Sequence, residues 1–333
     1  MPGPPAGAAG PSQWRRAALS SIFVIDLKGM NLAASSDRAG LLYALAGFSM
    51  LSVGDAIIKG MAGMWPPSAM AATRYVFAAI GLAAILRARE GRGALWPMPR
   101  ARIQWVRGLS VGVATTAMFT AVWLMPLAEA TTITFTQPMI TAVLAALLLS
   151  ERIRPVAIAA TVAAFVGVVL VLRPNFTQIG VAALLPLLAA ASMAILMIAN
   201  RTIANVRSAL AMQFYIALTA SAVLVGFTII GHLTGYPSMR MHWPEWHVIA
   251  RCAFIAVSAS LAHWLIYMGT VRAGAATVAP MAYGQLLVAA LLGWLFFHET
   301  PDLLAALGAA IIIGSGLVLW SVSRPKAMPG GAD

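Results

Sequence analysis

Ten times along this chain an apolar run of about twenty residues gives way to a short polar gap. The runs cover roughly residues 40–60, 68–87, 104–124, 129–149, 155–173, 178–199, 209–230, 248–269, 274–297 and 302–322. A helix rises about 1.5 Å per residue, so some twenty apolar residues cross a hydrocarbon core of about 30 Å. Each run is therefore expected to be one spanning helix. The joins near 125–129, 151–155 and 270–274 are tight, and Pro126, the Glu151–Pro155 stretch and the Arg272–Gly274 stretch supply the breaks. Residues 1–39 are rich in Pro, Gly and Ala and are expected to form a disordered tail without a cleaved signal peptide. Residues 323–333 form a second, short tail.

Composition agrees with the pattern. Of 333 residues, 61% are apolar and only 10% charged, with a mean hydropathy of +0.85. Soluble domains are near half apolar and a quarter charged, so this surface needs lipid as solvent. Cys252 is the only cysteine, which excludes an intramolecular disulfide and a thiolate metal site. No Walker loop, HExxH pair, CxxC motif or nucleophile constellation is present. No cofactor, metal or enzymatic chemistry is expected.

Charge adds an orientation. The net charge of +12 could suggest a nucleic-acid partner, but the basic residues sit in the gaps between runs. With the N-terminus inside, seventeen Lys and Arg fall in cytoplasmic segments. Only Arg173, Arg240 and Arg251 fall outside. By the positive-inside rule both termini are cytoplasmic in a bacterial-type inner (plasma) membrane. Trp243 and Trp246 in the external loop fit an interfacial aromatic belt. Lipid is the expected surround, and nucleic-acid binding is not expected.

The chain also matches itself. Under a shift of 148 residues, Leu144–Leu149 with Ser150 and Glu151 overlays Leu292–Phe297 with His298 and Glu299. The same shift places Gln137 on Gln285 and Phe135 on Tyr283. Leu41, Leu42, Ser49 and Met50 recur as Leu184, Leu185, Ser192 and Met193 under a shift of 143. Duplication of a five-helix unit inverts the second copy. The expected fold is all-α integral membrane, with ten transmembrane helices as two inverted five-helix repeats, 40–173 and 178–322. Such repeats are a common build for alternating-access transporters.

Several motifs then stand together: Asp55-Ala-Ile-Ile-Lys59 with Arg74; Met125-Pro-Leu-Ala-Glu-Ala130 running into Gln137-Pro138 and Leu147-Leu-Leu-Ser-Glu151; Val278 through Gln285; and Gly293 through Asp302. With these the chain resembles the drug/metabolite transporter superfamily in its EamA-type branch, over about residues 40–322. The resemblance implies two repeats around a central cavity and movement of a small metabolite, such as an amino acid, a vitamin or a drug-like compound. Where the family often has Gly before the glutamates that end runs four and nine, this chain has Ser150 and His298.

Candidate site residues follow from polarity inside the runs. A charge near a helix centre costs about 2.5–3.5 kcal/mol on insertion scales, so Asp55, Lys59 and Arg74 must face protein or water. Asp55 and Arg74 either lock runs one and two together or form a site or gate. Two cations against one anion would favour an anionic substrate group. Lys59, near the outer interface, could snorkel. Gln137 and Gln285 could face each other across a cavity or bond between helices, and Pro138 and Pro280 invite kinks beside them. His263 or Asp55 could carry a coupling proton. Trp123, Tyr267, Tyr283 and Trp294 could stack on a flat substrate. The threonines 131, 132, 134 and 136 suit back-bonding within a helix. Gly308, Gly314 and Gly316 permit close helix contact, including contact between two copies in a homodimer. The expected function is secondary transport by alternating access, with proton coupling open. A lipid-modifying membrane enzyme or a scaffold or sensor is the alternative. Glu151 and Glu299 are expected only to end helices on opposite sides.

Overall fold

The computed structural model of the chain describes residues 33–149, 155–203, 206–273 and 278–323. The N-terminal tail up to residue 32, Glu151 and residues 324–333 lie outside them. Among the described residues there are eleven α-helices: α1 (Ala33–Lys59), α2 (Pro67–Glu90), α3 (Ala101–Leu124), α4 (Leu127–Thr134), α5 (Gln137–Leu149), α6 (Pro155–Ile179), α7 (Leu185–Thr202), α8 (Ala209–Leu233), α9 (Trp246–Ala273), α10 (Tyr283–Phe297) and α11 (Leu303–Ser323). Eight helices are long and apolar enough to cross a membrane, and Ile158–Arg173 forms a shorter apolar helix.

The fourth run departs from the expected single helix because prolines interrupt its backbone ladder. Pro138 has no N–H to bond the carbonyl of Thr134, and α4 ends there. The threonines cover the gap. Thr134 Oγ1 donates to the Thr131 carbonyl and Thr136 Oγ1 to that of Ile133, each at 2.7 Å. Thr131 and Thr132 back-bond to Leu127 and Ala128 at 2.8 and 2.7 Å. Pro280 likewise sits in a 3₁₀ turn, Ala279–Ala282, that precedes α10. Two further boundaries differ from expectation. Helix α1 begins at Ala33, and α6 continues to Ile179, turning only at Gly180 with φ +58°.

Small residues set the tightest helix pairs. Along α1 and α9, a Cβ on Gly47 would lie 2.6 Å from the Ala262 carbonyl, and one on Gly269 2.6 Å from that of Gly40. Along α6 and α11, the Gly167 and Gly308 carbonyls occupy each other's Cβ positions, at 2.6 and 2.7 Å. Gly308 thus serves a contact within the chain, and Gly316 gives room to the Tyr283 hydroxyl, while Gly314 meets nothing within 4 Å. Helix α3 packs on α7 and α8, α2 on α8 and α9, α10 on α1 and α4, and α5 on α7.

The α2–α8 pair closes over Leu86, Ala94, Ala211, Phe214 and Tyr215. The fully buried Tyr215 hydroxyl donates to the Ala94 carbonyl at 2.7 Å. Tyr215→Phe is expected to cost about 1 kcal/mol, read by thermal unfolding in detergent.

Candidate functional site

Five helices converge on a cavity of about 160 Å³. Its lining includes Asp55 on α1, Arg74 on α2, Phe119 on α3, Ser258 on α9 and Gln285 on α10. These helices are mostly apolar, and several of their few polar side chains meet at this cavity. Gln285 and Arg74 share this lining with Asp55 and lie within electrostatic reach of its carboxylate. The Arg74 guanidinium is stacked near the Tyr75 and Phe119 rings, 5.2 and 5.8 Å from their centroids. It is thus held at the cavity by aromatic faces. Ser52 Oγ, buried one turn before Asp55, donates to the Gln285 backbone carbonyl at 2.6 Å and fixes α10 against α1.

The other expected site residues stand off this cavity. Gln137 begins α5 directly after the helix break and does not line the cavity as Gln285 does. Tyr283 stacks on Phe135 with centroids 5.1 Å apart, and its hydroxyl fills the notch at Gly316. His263 is exposed on α9, its Nδ1 2.6 Å from the Ala259 carbonyl. Tyr267 and Trp294 are 59% and 58% exposed, which places them on the outer surface of the bundle. Trp123 donates from Nε1 to the Ile58 carbonyl at 2.9 Å.

Lys59 is the main correction. It does not snorkel, and it supplies no excess cation. Its ammonium is paired with Glu299, 2.6 Å from Oε1, with side chains only 10% and 18% exposed. Acid and base are therefore matched around the cavity, and the reason to prefer an anionic substrate group disappears. Glu299 does more than end a helix, since its Oε2 also accepts the Leu127 N–H at 2.9 Å.

Three further polar residues escaped sequence reading. Glu129 is buried in the first turn of α4. A helix N-terminus favours an anion there, and its position three residues after Pro126 was the available signal. Arg107, grouped with the loop cations, is 5% exposed within α3. Its Nε donates to Asn200 Oδ1 at 2.7 Å and its Nη1 to the Met212 carbonyl at 3.3 Å, tying α3 to α7 and α8. Ser52 carried no distinguishing pattern.

A family model described as the EamA-like transporter family matches this chain twice, at residues 38–173 and 180–321. A S-adenosylmethionine uptake transporter of Rickettsia bellii (strain RML369-C) is 27% identical over 301 residues, spanning 90% of this chain and 99% of the relative. A riboflavin transporter of Rhizobium johnstonii (strain DSM 114642 / LMG 32736 / 3841) is 26% identical over 302 residues, spanning 88% and 95%. One solved crystal structure shares the fold with a TM-score of 0.54 at 22% identity, covering 87% of this chain and 99% of its own. An all-helical bundle with polar groups turned inward, a family model matched across nearly all of it, and relatives named as carriers agree with one another. The chain belongs to the EamA-like transporter family of the drug/metabolite transporter superfamily and is a multi-pass membrane transporter of a small molecule, not an enzyme.

Proposed function

We propose that this protein is a secondary transporter that moves a small metabolite by alternating access, with the Asp55–Arg74–Gln285 cavity as its binding site. The observation that carries the reading is an acid, a base and an amide brought to one cavity by helices from both halves of the chain. Ten spans arranged as two inverted repeats would account for the packing. Exchanging the first five spans for the last five turns the α1–α9 contact into α7–α3, α3–α8 into α9–α2, and α1–α10 into α7–α5, all of which occur. It would also place Phe135 against its counterpart Tyr283, as their stacking fits. The double family match supports the same division.

With the termini cytoplasmic in a bacterial-type plasma membrane, the Lys59–Glu299 end faces outward. Asp55 suits a cationic group, Arg74 an anionic or carbonyl group, and the Phe119 ring a flat moiety. A zwitterionic or ring-bearing metabolite fits this set, in keeping with the S-adenosylmethionine and riboflavin named for relatives. Small-molecule sites commonly measure about 300–1,000 Å³. A cavity of about 160 Å³ must therefore widen on loading, and Gln137, Tyr283 and His263 are the neighbours a wider cavity would reach. Asp55 or His263 is the proposed carrier of a coupling proton.

The test is uptake of radiolabelled S-adenosylmethionine and riboflavin, then a wider metabolite panel, into proteoliposomes with and without a pH gradient. Saturable flux is expected for at least one compound, reduced at least tenfold by Asp55→Asn and by Arg74→Gln. Wild-type flux in both variants removes this site. Equal flux with and without the gradient removes proton coupling, and no flux of any compound removes the transport reading.

A further inference from the structure

On the side away from both termini, one turn of α1 beyond Asp55, a polar junction lies within apolar packing that includes Ile58, Val122, Met125 and Leu127, and Pro126 creates the need for it. Having no N–H, Pro126 leaves the Val122 carbonyl without its helical donor. The start of α4 leaves the Leu127 N–H without a helical acceptor. Lys59 and Glu299 satisfy both. The ammonium donates to the Val122 and Met125 carbonyls, each at 2.7 Å, and pairs with Glu299. The carboxylate spends its other oxygen on Leu127. One ion pair thereby joins the ends of α1, α3 and α10 to the beginning of α4.

The placement of Glu299 is specific. His298 adopts φ +55°, which turns the chain back so that the Glu299 N–H bonds the Gly293 carbonyl at 3.1 Å. A Cβ on Gly293 would lie 3.0 Å from Glu299 Oε2, so Gly293 is the residue that admits the carboxylate. Lys59 follows Asp55 by one helical turn on the same face of α1, about 6 Å further along the axis. A movement of α1 that widens the cavity at Asp55 therefore pulls on the ammonium. Every bond in the junction is polar, so water can replace each of them on opening.

We propose that Lys59 and Glu299 form a releasable latch, which holds the outer ends of α1, α3, α4 and α10 together and must open for the cavity to communicate with that side of the membrane. The proposal rests on the transporter reading above for its purpose, but its first test, by thiol labelling, needs no substrate.

In a Cys252→Ala background, Ser258→Cys places one thiol in the cavity lining. The purified protein is reconstituted, its orientation is scored by proteolysis of a terminal tag, and a membrane-impermeant cationic methanethiosulfonate is applied to the side opposite the termini. Lys59→Met and Glu299→Gln are each expected to raise the labelling rate at least tenfold. Lys59→Arg is expected to stay near the parent. The exchanged pair Lys59→Glu/Glu299→Lys is expected to stay fast, because a carboxylate cannot serve the Val122 and Met125 carbonyls nor an ammonium the Leu127 N–H. A slow exchanged pair would reduce the junction to a simple charge pair and overturn the latch as described. Parent-like labelling in folded Lys59→Met and Glu299→Gln overturns it outright. Should those variants fail to fold, Lys59→Cys/Glu299→Cys bridged by a short bis-methanethiosulfonate replaces them, with Ser258 left native. The bridged protein is expected to lose flux of its cargo at least tenfold and to recover it on reduction, and undiminished flux when bridged overturns the latch. Labelling that follows the expected pattern without flux of any metabolite would leave the latch standing and remove only the transport reading.

Discussion

Glu299→Ala is expected to destabilise the protein by about 2–4 kcal/mol, because breaking a largely buried ion pair from one side strands the other charge. Slight exposure of both partners keeps the value toward the low end. Two interactions are lost together, the pair with Lys59 and the acceptor for Leu127 N–H. Glu299→Gln keeps one acceptor oxygen and should fall between parent and Glu299→Ala. The double variant Lys59→Met/Glu299→Leu should be less damaged than Glu299→Ala alone, since no charge is left without a partner. Thermal unfolding of the four proteins in one detergent measures this. A double variant worse than Glu299→Ala would show that the carbonyls of Val122 and Met125, rather than the stranded cation, dominate the energy.

The second large effect is expected at Gly308. In Gly308→Ala the new methyl would lie 2.6 Å from the Gly167 carbonyl and 2.8 Å from Val171 Cγ2. Backbone cannot yield as a side chain tip does, so α6 and α11 must separate. Overpacking of this kind costs about 1–3 kcal/mol and sometimes more. Gly314→Ala on the same helix meets nothing within 4 Å and gains helix propensity of up to about 1 kcal/mol. Yield of monodisperse protein and its melting temperature should therefore move in opposite directions for the same substitution six residues apart.

These contrasts mark how far the sequence could be read. Hydrophobic runs place helices well, because a spanning segment must be apolar for about twenty residues whatever it packs against. The break in the fourth run was half visible: Pro126 and Pro138 announce lost donors, but the threonines that repair the ladder decide whether the helix bends or stops. Asp55, Arg74 and Gln285 stood out as polarity in apolar surroundings, and the cavity brings those three together. Gln137 stood out equally and lines no part of it.

The pairing of Lys59 was the part least open to sequence reading. Its partner lies 240 residues away at a helix end. A glutamate at such an end looks like solvated punctuation until the turn at His298 points it inward. Arg107 misled in the opposite way, since a cation close to a basic loop reads as part of that loop until packing buries it. In both cases charge type was visible and direction was not, because direction depends on helix rotation and register.

Because Asp55 and Arg74 share one cavity, its formal charges cancel while Asp55 is ionised, and this has a consequence for energetics across a polarised membrane. Moving one elementary charge through the whole field is worth about 2.3 kcal/mol per 100 mV. A carrier reorienting around an empty, neutral cavity would couple only weakly to that field through these residues. One loaded with a cation would couple through its cargo. Membrane voltage would then bias the loaded step and leave the return step almost untouched. With Asp55 ionised throughout, the net charge of the cargo would decide whether transport is electrogenic; a coupling proton carried on Asp55 would add its own charge to the moving step.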